Sequence, residues 1–412
     1  MKPASNNLPA YALFAALLAS AGLPIYIHAP KFFLDEYGVS LAALGSVLFG
    51  LRLLDVVQDP LLGRLSERLR NHRGLAVGFA SGLMALSMYA LFAIPPLLPP
   101  LVWFGLTLTG VFSAFSFLTI CFYAQGVAKA ATLPGAGHLS LARWRETGAL
   151  LGVCVASVAP VGLGVALNAP FAGFAVGFAV LAVASVLAMR GEWRNIGLPA
   201  ATGFGTILRD GVARRLLLIA LLNAAPVAVS STLFLFYVES ALQAPGWEGP
   251  LLLLFFLSAA AAAPFWGMLA ERYGAKRVLL GAMVLAIGAF GGALFLGVGD
   301  VGLFALVCIG SGAALGADLT LLPAMFATRL AVISPSAAEG FGLWSLVSKF
   351  TLAFAAVTLL PTLQMSGFES GMAIPPPAAI TTLIWLYAGL PCLLKLLAIA
   401  LLVGTRLEKD RT

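Results

Sequence analysis

The stretch RLLDVVQDPLLGRLSER, residues 52–68, places an arginine and two aspartates inside a run otherwise apolar enough to cross a membrane. On a helix Asp55 and Asp59 are one turn apart on the same face, and Arg52, three residues before Asp55, points to the same side. Two carboxylates at that spacing in a bilayer must be neutralised by a proton, a metal ion or Arg52. Oxygen-only ligands suit Na⁺ or another hard monovalent cation, and H⁺ is an equally physical occupant. The competing reading is a buried ion-pair cluster that staples one helix to its neighbours, but ionisable groups inside a span are functional by default.

Other ionisable residues share that setting. Lys349, in FGLWSLVSKFTLAFAA, needs an acidic or carbonyl partner at mid-membrane, and pairing with Asp55 or Asp59 in competition with the cation would couple ion to conformation. Asp318, in GSGAALGADLTLLPAM, is a candidate substrate contact or a partner for Lys349 or Lys395. Arg145 and Glu146 point some 100° apart on a helix, so one is free to face substrate while the other caps a gate. Trp344 is a cavity candidate one turn from Lys349, His28 and Lys31 mark the outer end of the first span, and Trp103, Trp247 and Trp266 suit interfacial belts. The four cysteines all fall in apolar runs without metal-ligand spacing, so neither a disulfide framework nor a zinc site is expected. H-E-x-x-H, G-x-S-x-G and Walker patterns are absent, which speaks against an enzyme or an ATP-driven pump.

The elements that position these groups follow from composition. Of 412 residues 61% are hydrophobic and 10% charged, the mean hydropathy is +1.00, and period-two alternation is missing. Lipid demands that each span satisfy its own backbone, so the fold class is an all-α membrane protein. Twelve spans are expected at about 10–30, 40–63, 75–96, 101–128, 139–165, 170–189, 212–238, 249–270, 278–297, 301–328, 337–365 and 379–405. An even count puts both ends on one side. Only Lys31 falls in a far-side loop, and four cations (Arg52, Arg145, Lys349, Lys395) fall within spans. The rest cluster on the near side, so both termini are expected to be cytoplasmic. The formal charge of +7 reflects that topology and contact with membrane lipids, not nucleic acid. No cleavable signal or organelle-targeting segment is read, and a bacterial inner membrane is the expected location.

An internal repeat organises the chain. DPLLGRLSERLRNHR (59–73) aligns with APFWGMLAERYGAKR (263–277) at an offset of 204, matching Pro60 to Pro264, Gly63 to Gly267, Glu67 to Glu271, Arg68 to Arg272 and Arg73 to Arg277. Two six-helix halves, 1–190 and 212–412, are therefore expected, joined by a polar, basic linker over 191–211. A helix-end glycine, an acid and a basic cluster can clamp neighbouring helix ends, so Gly63, Glu67, Arg68, Gly267, Glu271 and Arg272 are candidate gating positions. Asp55 and Asp59 map onto Ala259 and Ala263, so the acids are not required by the repeat.

The loop pattern G-x-L-x-[DE]-R-x-G-x-[KR]-[KR] resembles the signature of the major facilitator superfamily, and GMLAERYGAKR fits it well; the first copy has Leu69 and Arg70 around the expected glycine. Within that fold, RLLDVVQDP together with a mid-span lysine in span 11 is similar to the glycoside/pentoside/hexuronide:cation symporters. The resemblance implies that Asp55 and Asp59 are cation-site acids, that Lys349 is the helix-11 lysine, and that Arg145, in RWRETGALLG, is the helix-5 arginine. The sugar side departs: Ala19 and Thr119 stand where aspartates are expected, and Tyr123 replaces an aromatic neighbour.

The implied activity is cation-coupled (Na⁺ or H⁺) secondary transport of a small organic solute by alternating access, a sugar or glycoside by family but with both sugar-site acids missing. An amphipathic cargo such as a lysolipid or a drug-like molecule is the alternative. Thr119, Tyr123, Arg145, Asp318 and Trp344 are the substrate-binding candidates. No cofactor beyond the coupling ion is expected, and the carrier is expected to work as a monomer.

Overall fold

The computed structural model describes residues 7–193, 203–368 and 376–406. Residues 194–202 of the expected linker, residues 369–375 and both chain ends lie outside the described residues. The fold is all-α, and no strand occurs among the described residues. The helices are α1 (Leu8–Ser20), α2 (Leu23–Tyr37), α3 (Leu41–Arg68), α4 (Arg73–Ala93), α5 (Pro100–Ala130), α6 (Gly137–Leu163), α7 (Pro170–Met189), α8 (Phe204–Arg209), α9 (Gly211–Phe236), α10 (Glu248–Tyr273), α11 (Ala275–Gly292), α12 (Val301–Ile333), α13 (Ala338–Met365), α14 (Pro377–Ile384) and α15 (Leu390–Val403).

Among the described residues, eight helices are long and apolar enough to span a bilayer by composition alone. Helices α3, α6 and α13 are as long, but charged residues interrupt their apolar runs. The first expected span arrives broken at Ala21–Gly22, between α1 and α2, and Lys31, expected in a loop, lies inside α2 and pairs with Asp35 across one exposed turn. The apolar surface faces outward: Leu75 and Phe79 on α4 are 76% and 77% exposed, as lipid contact requires and water would not tolerate.

The chain forms two compact units, Met1–Ile207 with Leu330–Leu346, and Leu208–Arg329 with Val347–Thr412. In the first, α1 lies along α6, α3 packs on α5, and α4 packs on α5 and α7. The α1–α6 approach is set by Gly148 and Gly152, where an added Cβ would stand 2.1 Å from the Ala12 carbonyl oxygen and 2.5 Å from that of Ala16. Small residues one turn apart let two backbones meet, the main source of helix affinity in lipid.

In the second unit α15 packs on α9 and α11. Gly312 and Gly316 on α12 repeat the close approach, against the Phe255 and Ala259 carbonyls of α10. Two helices there widen for one turn. Residues Tyr237–Ala241 extend α9 as a π-turn, and Trp385–Gly389 form a second π-turn between α14 and α15. Tyr237 and Tyr387, one from each, stack at 4.2 Å, and the Tyr237 hydroxyl donates to the Ala293 carbonyl at 2.6 Å. Asp210 caps α9 by accepting from the Ala213 amide at 2.7 Å and binds the Arg329 guanidinium through both oxygens, at 3.0 and 2.5 Å.

Candidate cation and solute site

Ser40 caps α3 by accepting from the Ala43 amide, and the helix then runs unbroken through Pro60 to Arg68. Pro60 has no N–H to offer the carbonyl one turn before it, that of Val56, which loosens the backbone beside the aspartates. Asp55 is 4% exposed and Asp59 fully buried. The Gln58 amide donates to Asp55 Oδ1 at 2.7 Å, and the Ser113 hydroxyl of α5 donates to Gln58 Oε1 at 3.0 Å. Asp59 Oδ2 accepts from the Ser345 hydroxyl of α13 at 2.5 Å.

Two glycines make that last bond reachable. A Cβ on Gly342 would sit 3.1 Å from the Asp59 carbonyl oxygen, and one on Gly63 would sit 3.2 Å from the Ala338 carbonyl oxygen, so α3 and the first turns of α13 touch backbone to backbone. The arrangement is a set of oxygens around two carboxylates, drawn from α3, α5 and α13 within the first unit. Arg52 is half-buried one turn before Asp55, Trp344 is half-buried beside Ser345, and Lys349 is half-buried further along α13, in the second unit.

A second cluster lies on α5 and α6. The Arg145 guanidinium stacks 3.7 Å from the Tyr123 ring centroid, its Nε donates to Glu146 Oε1 at 2.7 Å, and the Tyr123 hydroxyl donates to the same oxygen at 3.0 Å. The Phe341 ring packs on Tyr123 at 5.0 Å. Arg145 and Glu146, expected to serve separate faces, therefore act together: the side chains bend around the helix to share Tyr123. Arg145 Nη2, Thr119 Oγ1 and Thr147 Oγ1 are buried without a hydrogen-bond partner, so this cluster keeps unused donors and acceptors.

The candidate gating residues are helical. Gly63, Glu67 and Arg68 belong to the final turns of α3, and Gly267, Glu271 and Arg272 to those of α10. Glu67 is buried and bonds Arg70 at 3.4 Å, while Arg68, Glu271 and Arg272 are exposed. Asp318 bonds Lys395, one of the partners that the sequence offered it. His28 is held through Nε2 against the Ser157 carbonyl at 2.9 Å, and Trp103 and Trp266 each donate to a carbonyl of a neighbouring helix.

Sequence reasoning passed over Gln58, Ser113, Ser345, Thr147 and Asn223. Gln58 carried a signal, standing three residues after Asp55 on the same helix. The serines carried none, because nothing local relates them to α3.

Residues 9–409 match the family described as MFS/sugar transport protein. No curated protein sequence matches the chain. Among solved structures, a bacterial homologue of the iron transporter ferroportin, in an outward-facing state, superposes with a TM-score of 0.71 at 16% identity, over 96% of this chain and 98% of that one. The human organic anion transporter TETRAN gives 0.67 at 16%, over 96% and 98%. The Escherichia coli fucose:proton symporter gives 0.64 at 14%, over 97% and 98%. At such identities these neighbours share the major facilitator fold and nothing finer. With the family match running almost end to end, the chain belongs to the MFS/sugar transport protein family, and it is a multi-pass membrane transporter and not an enzyme.

Proposed function

We propose that this transporter is driven by a monovalent cation, Na⁺ or H⁺, bound at Asp55 and Asp59, and that it carries a small polar organic solute by alternating access. The observation that carries the reading is the burial of both carboxylates, one turn apart, among the oxygens of Gln58, Ser113 and Ser345. Two such acids are costly in a bilayer unless positive charge reaches them, and hydroxyl oxygens that donate to a carboxylate still turn lone pairs toward a cation. Arg52 and Lys349 are the charge-pairing residues of this scheme. Both termini face the cytoplasm by the distribution of Lys and Arg, and the carrier works as a monomer in a cell membrane.

The cargo contacts are Thr119, Tyr123, Arg145 and Trp344. The unpartnered Arg145 Nη2, Thr119 Oγ1 and Thr147 Oγ1 favour a solute rich in hydroxyl or other acceptor groups over an amphiphile. The iron, organic anion and fucose named for the three structural neighbours agree only in being polar.

The experiment is equilibrium binding of Na⁺, Li⁺ and H⁺ to the purified full chain, wild type against Asp55→Asn and Asp59→Asn. Saturable binding that is lost in both variants is expected. Equal binding by all three proteins would reduce the aspartates to structural ion pairs and remove the coupling mechanism.

A further inference from the structure

We propose that Asp318 and Lys395 form a second ion-coupling site, within the second unit, that takes up one proton on Asp318 and is independent of the carboxylate pair on α3. Lys395 on α15 donates to Asp318 Oδ2 of α12 and, at 2.6 Å, to Asn223 Oδ1 of α9. All three are more than nine-tenths buried. Tying three helices together does not call for ions, since apolar side chains of similar volume replace buried ion pairs at no loss or with a gain. An ionisable pair kept inside a span points instead to use.

Two features assign that use to a proton. Asp318 Oδ1 is buried without a hydrogen-bond partner, and Asp318 lines a recess enclosing about 380 Å³ of empty space, part of it open, walled by Ser230, Phe255, Phe290, Ser311 and Cys392. A lone pair stranded beside room for water is costly as it stands, and a proton turns it into a hydroxyl that donates. A metal cation fits poorly, because the ammonium already neutralises the carboxylate.

The second feature is Asn223. When Asp318 becomes neutral, Lys395 keeps a neutral acceptor at 2.6 Å, so its charge is not abandoned. The step is a single proton transfer: water in the recess delivers H⁺, an O–H bond forms at Oδ1, and the ion pair relaxes to an ordinary hydrogen bond. The triad passes from zero net charge to +1, which favours an arrangement giving Lys395 more water and so links proton uptake to conformation. Lys395 and Cys392 are the other titratable groups lining the recess; α10 and α11 contribute only Phe255, Ala286, Ile287 and Phe290.

The test is infrared difference spectroscopy of the full chain in lipid vesicles during acidification, reading the C=O stretch of a protonated carboxyl. Wild type should show a component that disappears in Asp318→Asn and persists in the Asp55→Asn/Asp59→Asn double variant. In Lys395→Met the component should already be present at neutral pH. Identical titrations of wild type and Asp318→Asn would overturn the proposal. Should Asp318→Asn fail to fold, Asn223→Ala decides: losing the standby acceptor should move the component to lower pH by about one unit, a tenfold change in proton affinity, and an unmoved component would overturn the site.

Discussion

Replacing Gly148 by alanine tests how closely the transporter depends on the approach of α1 to α6. The new Cβ would lie 2.1 Å from the Ala12 carbonyl oxygen, where ordinary contact begins near 3.4 Å, so α1 must withdraw by roughly 1.3 Å. The obstacle is backbone on both sides and has no flexible end to swing aside. Overpacking of that kind costs about 1–3 kcal/mol, while alanine for glycine inside a helix returns about 1 kcal/mol. Gly177→Ala on α7 separates the two effects, because nothing lies within 4 Å of its added Cβ and it shows only the propensity gain. The difference between the variants should be about 1–3 kcal/mol, read as a lower apparent melting temperature of Gly148→Ala in detergent. Gly148 also follows Arg145, Glu146 and Thr147 on α6, so solute transport should fall more than cation binding. Gly148→Ala melting at or above Gly177→Ala would refute the reasoning.

Hydrogen bonds from Arg329 hold the Asp210 carboxyl below the usual carboxylate range, against a smaller opposing effect of burial. A depressed acid stabilises the fold above its unfolded value and loses that contribution as pH falls through the folded one; wild type should therefore lose melting temperature on acidification more steeply than Asp210→Asn, which keeps a capping side chain. Parallel curves would sink that account. Arg145→Lys preserves charge but gives up the planar stack on Tyr123, a loss of about 1–2 kcal/mol, so solute transport should drop about tenfold while cation binding is retained; an unchanged transport rate would disconnect the cluster from cargo. Removing Asp318 alone, as Asp318→Ala, should cost about 3–5 kcal/mol by stranding the Lys395 ammonium, and Asp318→Leu with Lys395→Met should recover most of it in thermal unfolding. Failure of the pair to recover would mean that the triad holds the fold by more than charge balance.

The architecture and the acids were legible in the sequence for identifiable reasons. Helical spacing alone puts Asp55 and Asp59 on one face, and both are buried together on α3. The apolar runs separate into helices because lipid allows little else, and the repeat is carried by prolines, glycines and charges that survive in the bare sequence. What could not be read is what depends on distant chain. Ser345 reaches Asp59 from 286 residues away, and Ser113 reaches Gln58 from 55. Arg145 and Glu146 looked opposed because a helical projection fixes where side chains start, not where long ones end; a shared tyrosine draws them together. The break at Ala21–Gly22 leaves an apolar run uninterrupted, so hydropathy sees one span where the backbone makes two helices.

The widened turn at Trp385–Gly389 bears on how this lineage can change by insertion and deletion. A π-turn is an α-helix with one residue too many, absorbed locally and leaving the helix on either side regular. Losing any one residue there would restore a plain helix and rotate everything after it by about 100°. Lys395 follows the turn, so a single codon deletion would carry its ammonium away from Asp318 and Asn223 without altering any residue of the triad. Chains related to this one should therefore keep or lose the extra residue and the lysine together, and a count of residues between Pro377 and Lys395 is an inexpensive reading of which of them retain the pair.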